Sequence, residues 1–324
     1  MKWIIPPIPI DTIISELTPE KFVRHTNFGG NEIYRITAHD SPYIIQEIGR
    51  LRELTFRSAG GGTGKVMDLD DYDTADVPYI QLIVWDPKER ILVGGYRYIL
   101  CNEAIKHGTE VLATTELFNF SDKFKKDYMP VTIELGRSFI QPSYQSTANA
   151  RKGIFALDNL WDGLGALTVL HPDIKYFFGK VTMYPDFNQQ ARDLILYFLN
   201  KYFYDKEKLL SPINAITYLT PKSHMEKVFT GADYQENYKI LSKTVRMLGE
   251  NIPPLINSYM NLSPTMKVFG TAINKAFGDV EETGILINID DIYIGKKERH
   301  ISSFKLIKKR IGTIIPKIKS KKRT

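Results

Sequence analysis

Three arginines stand where the hydrophobic pattern calls for aliphatic side chains. Arg52 lies four residues after Ile48 and four before Phe56, so on a helix it projects from the apolar stripe. On strands, Ile91, Val93, Gly95, Arg97 and Ile99 share one face, and Val131, Ile133, Leu135, Arg137 and Phe139 share another. An unpaired buried guanidinium is costly, so each must meet an acid or a water-filled cleft. The acids are close in sequence: Asp68, Asp70, Asp71 and Asp73 in one run, and Glu134 three residues before Arg137. Strict alternation would put Glu134 and Arg137 on opposite faces. A β-bulge at Gly136 would bring them together, and the sequence predicts one there. A fixed ion-pair network tying loop to sheet is one reading of any single pair. Three arginines meeting acids from separated segments point instead to a functional cleft. There, guanidinium forks can bind a carboxylate, and a carboxylate can move a proton.

Positioning these groups falls to a mixed set of elements. Residues 1–10 are Pro-rich and expected to be extended. Thr18-Pro19 and Ser41-Pro42 are helix-start signals, the second opening a helix to about Arg57 with Ile44, Ile45, Ile48 and Leu51 on one face. The acid-rich loop 58–78 follows. Strands are expected at 79–85 and 91–101, joined by the Asp86-Pro87-Lys88-Glu89 turn, and at 131–140, 176–183, 267–269 and 284–289. Helical patterns cover 154–170, 189–202, 239–248 and 253–260. Helices and strands alternating around one sheet indicate an α/β domain, with a helical insertion near 203–250.

Composition narrows the class. The 324 residues are 43% hydrophobic and 25% charged, without an apolar run of membrane-spanning length. The single Cys101 allows no internal disulfide and no cysteine-based metal site, which places the chain in a reducing cytoplasm. The net charge of +6 is concentrated at the end, where 305–324 carries nine Lys or Arg and no acid. Such a segment attracts an anionic membrane, an acidic protein or nucleic acid at about 1 kcal/mol per basic residue near a charged surface. Its interleaved Ile and Leu favour a peripheral membrane anchor; no nucleic-acid partner is expected.

In order and spacing, the series Arg52-x3-Phe56, Asp68-x-Asp70-x2-Asp73, Arg97 after Val93-Gly94-Gly95-Tyr96, and Glu134-x2-Arg137 resembles the motif set of acyl-homoserine-lactone autoinducer synthases. It is still more similar to the bacterial N-acyl amino acid synthases of ornithine and glycine lipid synthesis, often labelled hemolysins. Leu160-Trp161-Asp162-Gly163-Leu164, Phe178-Gly179-Lys180-Val181-Thr182-Met183, Pro253 to Tyr259 and Gly270 to Phe277 extend that resemblance over roughly residues 30 to 295. Two positions depart from it: Asp68 stands where autoinducer synthases usually carry Glu, and Asn274 where relatives often carry an acid.

The resemblance implies a GNAT fold: a mixed, mostly antiparallel sheet flanked by helices. It divides the chain into an extension (1–30), the acyltransferase domain (31–299) and the basic tail (300–324). The implied reaction is attack of an amino acid amine, such as that of glycine or ornithine, on a fatty, 3-hydroxylated or plain, acyl thioester of acyl carrier protein. Acyl-CoA is the other possible co-substrate; no cofactor and no metal are called for. Glu134 is the first choice to take the ammonium proton, with Asp68 and Asp70 as alternatives. Arg52, Arg97, Arg137, Asp73 and Ser138 are expected to bind substrate or hold the acidic loop, and N–H groups around 136–138 to polarise the thioester carbonyl. Acetyl-CoA users of this superfamily cradle pyrophosphate with a Gly-containing loop after this strand. Residues 142–150 contain no glycine, which favours the carrier-protein donor.

Other signals fall away. Gly60-Gly61-Gly62-Thr63-Gly64-Lys65 lacks the glycine and the hydroxyl of a phosphate-binding loop, at Ala59 and Val66, and reads as a mobile loop. The six histidines show no zincin spacing, none has Asp five positions on, and no Gly-x-Ser-x-Gly elbow occurs. Trp161 and the aromatic pairs near 176–178 and 202–204 read as core. Two alternatives stay open: a lactone-closing autoinducer synthase, and a catalytically silent membrane- or protein-binding module.

Overall fold

The computed structural model describes residues 1–145 and 155–305. Its centre is an eight-stranded sheet of β1 (Phe22–His25), β2 (Glu32–Ile36), β3 (Ile80–Asp86), β4 (Ile91–Leu100), β6 (Thr132–Ile140), β7 (Tyr176–Met183), β10 (Val280–Asn288) and β9 (Lys267–Asn274), in that spatial order. The short strands β5 (Phe118–Phe120) and β8 (Leu210–Pro212) pair separately. All neighbours in the large sheet run antiparallel except β6 and β7.

That parallel contact is short, and it decides the architecture. β6 and β7 pair only at Thr132↔Tyr176, Ile133↔Phe177 and Glu134↔Phe178. Beyond Glu134, β6 follows β4 while β7 follows β10, so the two halves of the sheet splay apart.

Each face of the sheet is covered. Helix Pro42–Ser58 places Ile44, Ile45, Ile48, Leu51 and Phe56 against Ile83, Trp85 and Phe139 on one face. On the other, helices Ala156–Leu170 and Gln189–Phe203 pack Leu160, Leu164, Leu194 and Phe198 over Leu82, Tyr96, Ile133 and Val181. Helices Tyr234–Met247 and Pro254–Met260 extend this second layer through Leu241, Val245 and Ile256. Burial of these aliphatic and aromatic side chains is the main favourable term for the domain.

The structure revises several local expectations. No helix follows Thr18. Residues 19–21 turn, Lys21 donates its ammonium to Glu16 O, Asp40 O and Ser41 Oγ, and Phe22 enters β1. A helix lies earlier instead, at Ile10–Glu16, and Glu16 caps helix Pro42–Ser58 by accepting from the amides of Tyr43 and Ile44. β1 and β2 were not foreseen, β9 runs on to Asn274, and the helix expected from 239 begins at Tyr234.

Candidate active site

The arginines reach their acids because two strands carry irregularities. In β4, Trp85 pairs with Leu92 and Val84 with Gly94, so Val93 is an extra residue. In β6, Gly95 pairs with Phe139 and Arg97 with Gly136, so Arg137 and Ser138 together oppose Tyr96. Arg137 adopts φ 50°, a left-handed conformation uncommon for a side-chain-bearing residue. The bulge expected at Gly136 is therefore present one residue further on. Ile91 and Val93 do not share a face with Arg97, nor do Ile133 and Leu135 share one with Arg137: Val93, Ile133 and Leu135 face the opposite core. Directly paired residues point the same way, so Gln81, Arg97 and Gly136 form one row and Ile99 with Glu134 the next. Gly136 lies beside the Arg97 side chain, at a distance where a Cβ would make an ordinary contact of 3.7 Å with its Nε.

Arg52, 0% exposed, donates to both Asp73 oxygens at 3.0 and 3.1 Å and to Gln81 Oε1 at 2.5 Å. Arg97 meets Asp70 with both terminal nitrogens and Asp73 at 3.0 Å, its guanidinium over the Tyr79 ring. Arg137 pairs with Asp68 at 3.0 Å and with Asp70 at 3.5 Å, stacked 4.1 Å above Phe277. Three guanidiniums thus face three carboxylates, and Asp71 points to solvent. Burial pushes the Asp73 carboxyl up, but Arg52 and Arg97 outweigh it and hold the group well below the usual range.

The Gly-rich stretch is pinned rather than loose. Buried Glu53 accepts from Thr63 N, Thr63 Oγ1 and Gly64 N and pairs with Arg57. Leu69 seats against helix residue Gly49, where a Cβ would come within 2.7 Å of it.

Glu134 is 1% exposed and accepts from Tyr79 Oη at 2.7 Å, Thr114 Oγ1 at 2.6 Å and Thr114 N at 3.2 Å. Burial raises its carboxyl, and the hydrogen bonds from Thr114 and Tyr79 with the charges of Lys180 and Arg97 only partly offset this. It shares a face with Arg97 but forms no ion pair with Arg137 among the described residues.

A cleft opens where β6 and β7 splay. One end is apolar, lined by Tyr96, Leu157, Leu160, Trp161, Leu164 and Tyr259; the other carries Arg137, Ser138, Lys180, Thr182 and Glu282. Of the residues expected at the site, Arg137 and Ser138 line this cleft. Arg52, Arg97, Asp68, Asp70, Asp73 and Glu134 stand behind its wall. Trp161, expected as core, is a lining residue. Lys180 and Glu282 were missed as site residues, although the signal that exposed the arginines applies to them: each is a charge on a strand face with Phe178 or Leu286. Beyond the cleft, Tyr144 closes a short turn by donating to Asp86, and residues 146–150 of the glycine-free segment lie outside the described residues.

The chain is 57% identical to a glycine N(alpha)-acyltransferase of Phocaeicola vulgatus, over 94% of this chain and 94% of that protein. It belongs to the glycine N(alpha)-acyltransferase family. A second relative of that name, from Bacteroides thetaiotaomicron, is 54% identical over 94% of this chain and 91% of its own length. The acetyltransferase (GNAT) domain family matches residues 51–152, which run from helix Pro42–Ser58 through β6 and so carry all three arginines and their acids. This member of the family is an acyltransferase of GNAT fold. Among solved structures, a CoA-dependent acyl-homoserine lactone synthase with SAM and isopentyl-CoA aligns with TM-score 0.40 and 11% identity, over 85% of this chain and 90% of that one.

Proposed function

We propose that this acyltransferase moves a fatty acyl group from a carrier-protein thioester to the amine of glycine, yielding an N-acylglycine. The observation that carries the reading is the two-ended cleft at the β6–β7 splay, apolar at one end and charged at the other. An acyl chain fits the end lined by Leu157, Leu160 and Leu164, where each buried methylene contributes about 0.8 kcal/mol. A small zwitterion fits the end lined by Arg137, Lys180 and Glu282. The names of the two relatives support glycine as the acceptor. The glycine-free run after β6 supports a carrier protein over CoA as donor.

In this reaction the amine gives up a proton and attacks the thioester carbon. The N–C bond forms, the C–S bond breaks, and the carrier leaves as its thiol. Backbone N–H groups of 136–138, beside the left-handed Arg137, are the assigned donors to the developing oxyanion. The arginine–aspartate cluster holds loop 59–78 and the bulge in place, so that the carbonyl and the nitrogen meet at a fixed angle. The basic segment 305–324, of which 306–324 lie outside the described residues, is assigned to attraction towards an anionic membrane surface. Among the described residues no helix is long and apolar enough to cross a membrane.

Expression in a bacterium that makes no amino-acid lipids tests the proposal through the masses of new lipids. N-acylglycines are the expected products. A well-folded protein supplied with donor and producing no acylated amine would overturn it.

A further inference from the structure

Four cations lie at or behind the cleft, and their acidic partners differ. Arg52 and Arg97 are buried behind the wall and held by Asp73 and Asp70. Arg137 reaches the cleft but is engaged by Asp68 and Asp70 and covered by Phe277. Lys180 lines the cleft with a single ion-pair partner among the described residues, Glu282, at 3.2 Å.

The pair stands on the far wall, across neighbouring strands. Thr182 pairs with Glu282 and Lys180 with Gly284, so both side chains project from one sheet face into the splay. Gly284, opposite Lys180, is packed by Phe118 and Phe269, so that the lysine is bounded by aromatic rings on that side. The side chains are 12% and 3% exposed. Glu282 Oε2 faces Lys180, and Asn274 Nδ2 donates to Oε1 at 3.1 Å. A neutral amide thus steadies the carboxylate without neutralising it, and the Lys180 charge also reaches the Glu134 carboxyl. A lysine ammonium has three donors and can hold a second carboxylate while keeping the first.

We propose that Lys180 and Glu282 read the acceptor as a zwitterion: Lys180 binds its carboxylate, and Glu282 accepts the proton that its ammonium must lose before the nitrogen attacks. This rests on the N-acyltransferase reading above and assigns within it the two groups that select an α-amino acid. The balance is simple. One proton moves from the ammonium nitrogen to a Glu282 oxygen, the freed lone pair forms the N–C bond, the C–S bond breaks, and the second proton, shed by the acylated nitrogen, goes to the leaving thiolate.

The test compares glycine with glycinamide, which keeps the amine and lacks the carboxylate. Lys180→Met is expected to raise KM for glycine by about 30-fold with little change in kcat, and to change glycinamide transfer by less than about threefold. Lys180→Arg should recover most of the glycine affinity. Glu282→Gln, which keeps shape and the Asn274 contact, is expected to lower kcat by about 100-fold or more with both acceptors. Thermal unfolding reports whether each variant is folded, and Lys180→Gln replaces Lys180→Met if the latter is not. A merely structural ion pair would lower transfer to glycine and glycinamide alike in Lys180→Met; that result, or a Glu282→Gln enzyme of wild-type kcat, would overturn the proposal. If the wild-type protein acylates neither amine, the transferase reading itself has failed, and the two failures are thereby separated.

Discussion

Arg97 and Asp70 meet fork to fork, Nη1 to Oδ1 at 2.5 Å and Nη2 to Oδ2 at 2.9 Å, joining the middle of β4 to the acidic loop. The same carboxylate lies 3.5 Å from Arg137. One loop residue therefore links the two strands that carry the bulge. Lysine at position 97 would keep the charge and lose the fork. Arg97→Lys is expected to destabilise the protein by about 1–3 kcal/mol and to reduce transfer more than tenfold, about 1.4 kcal/mol in the barrier. Denaturant unfolding and steady-state rates measure both.

Helix and loop also meet at Gly49 and Leu69, where a methyl group has no room. Gly49→Ala gains helix propensity but displaces Leu69, and overpacking of this kind costs about 1–3 kcal/mol. The expected result is lower stability and weaker transfer, with both largely restored in the Gly49→Ala, Leu69→Ala double variant. Additive losses in the double-mutant cycle would refute the contact.

Acid sensitivity follows from Asp73. Burial acts to raise its carboxyl, but Arg52 and Arg97 hold the folded value below the unfolded one of about 3.9. Its stabilisation is therefore complete above the unfolded value and drains as pH falls towards the folded one. Asp73→Asn leaves two buried guanidiniums short of a partner and is expected to cost about 3–5 kcal/mol at neutral pH. Between about pH 5 and pH 2 its stability should fall less steeply than that of the wild type. Unfolding midpoints measured across that range give the comparison.

Glu134 separates a wall residue from a cleft residue. Its oxygens are occupied by Tyr79 and Thr114, and it does not line the splay, whereas Glu282 does. Glu134→Gln replaces one acceptor oxygen with a donor facing hydroxyls, and is expected to lower stability by about 1–3 kcal/mol. The prediction for the folded variant is a kcat within about tenfold of wild type, well above that of Glu282→Gln. The reverse order of the two rates would return the proton to Glu134.

Much of the fold could be read from the chain, because the helices at 42–58 and 189–203 follow a 3.6-residue period and β3, β6 and β7 are short apolar-rich runs. Arg52 was placed correctly for that reason: a regular helix keeps its phase. Faces on the strands were harder to read. The extra residue at Val93 and the bulge at Arg137 each shift the phase, and a one-residue shift moves every later side chain to the opposite face. The short strands β1, at the sheet edge, and β2 beside it carry too few residues to declare a period. The arginine–aspartate set was found through burial of charge, but that signal does not separate a wall from a cleft. The division depends on where β6 parts from β7, a long-range feature that no local pattern encodes. Lys180 and Glu282 belong to the cleft only because of that parting.

The central claim is that acyl chain and glycine meet at the β6–β7 splay. Its most direct test is the product mass spectrum from purified protein given isotopically labelled glycine and an equimolar mixture of medium and long acyl carrier-protein thioesters. The wild type and Leu164→Trp, which fills the apolar end, are run side by side. The account predicts labelled N-acylglycines from both, with the variant's products shifted to shorter chains. Labelled products of unchanged length from a folded variant, or no labelled product from the wild type, would contradict it.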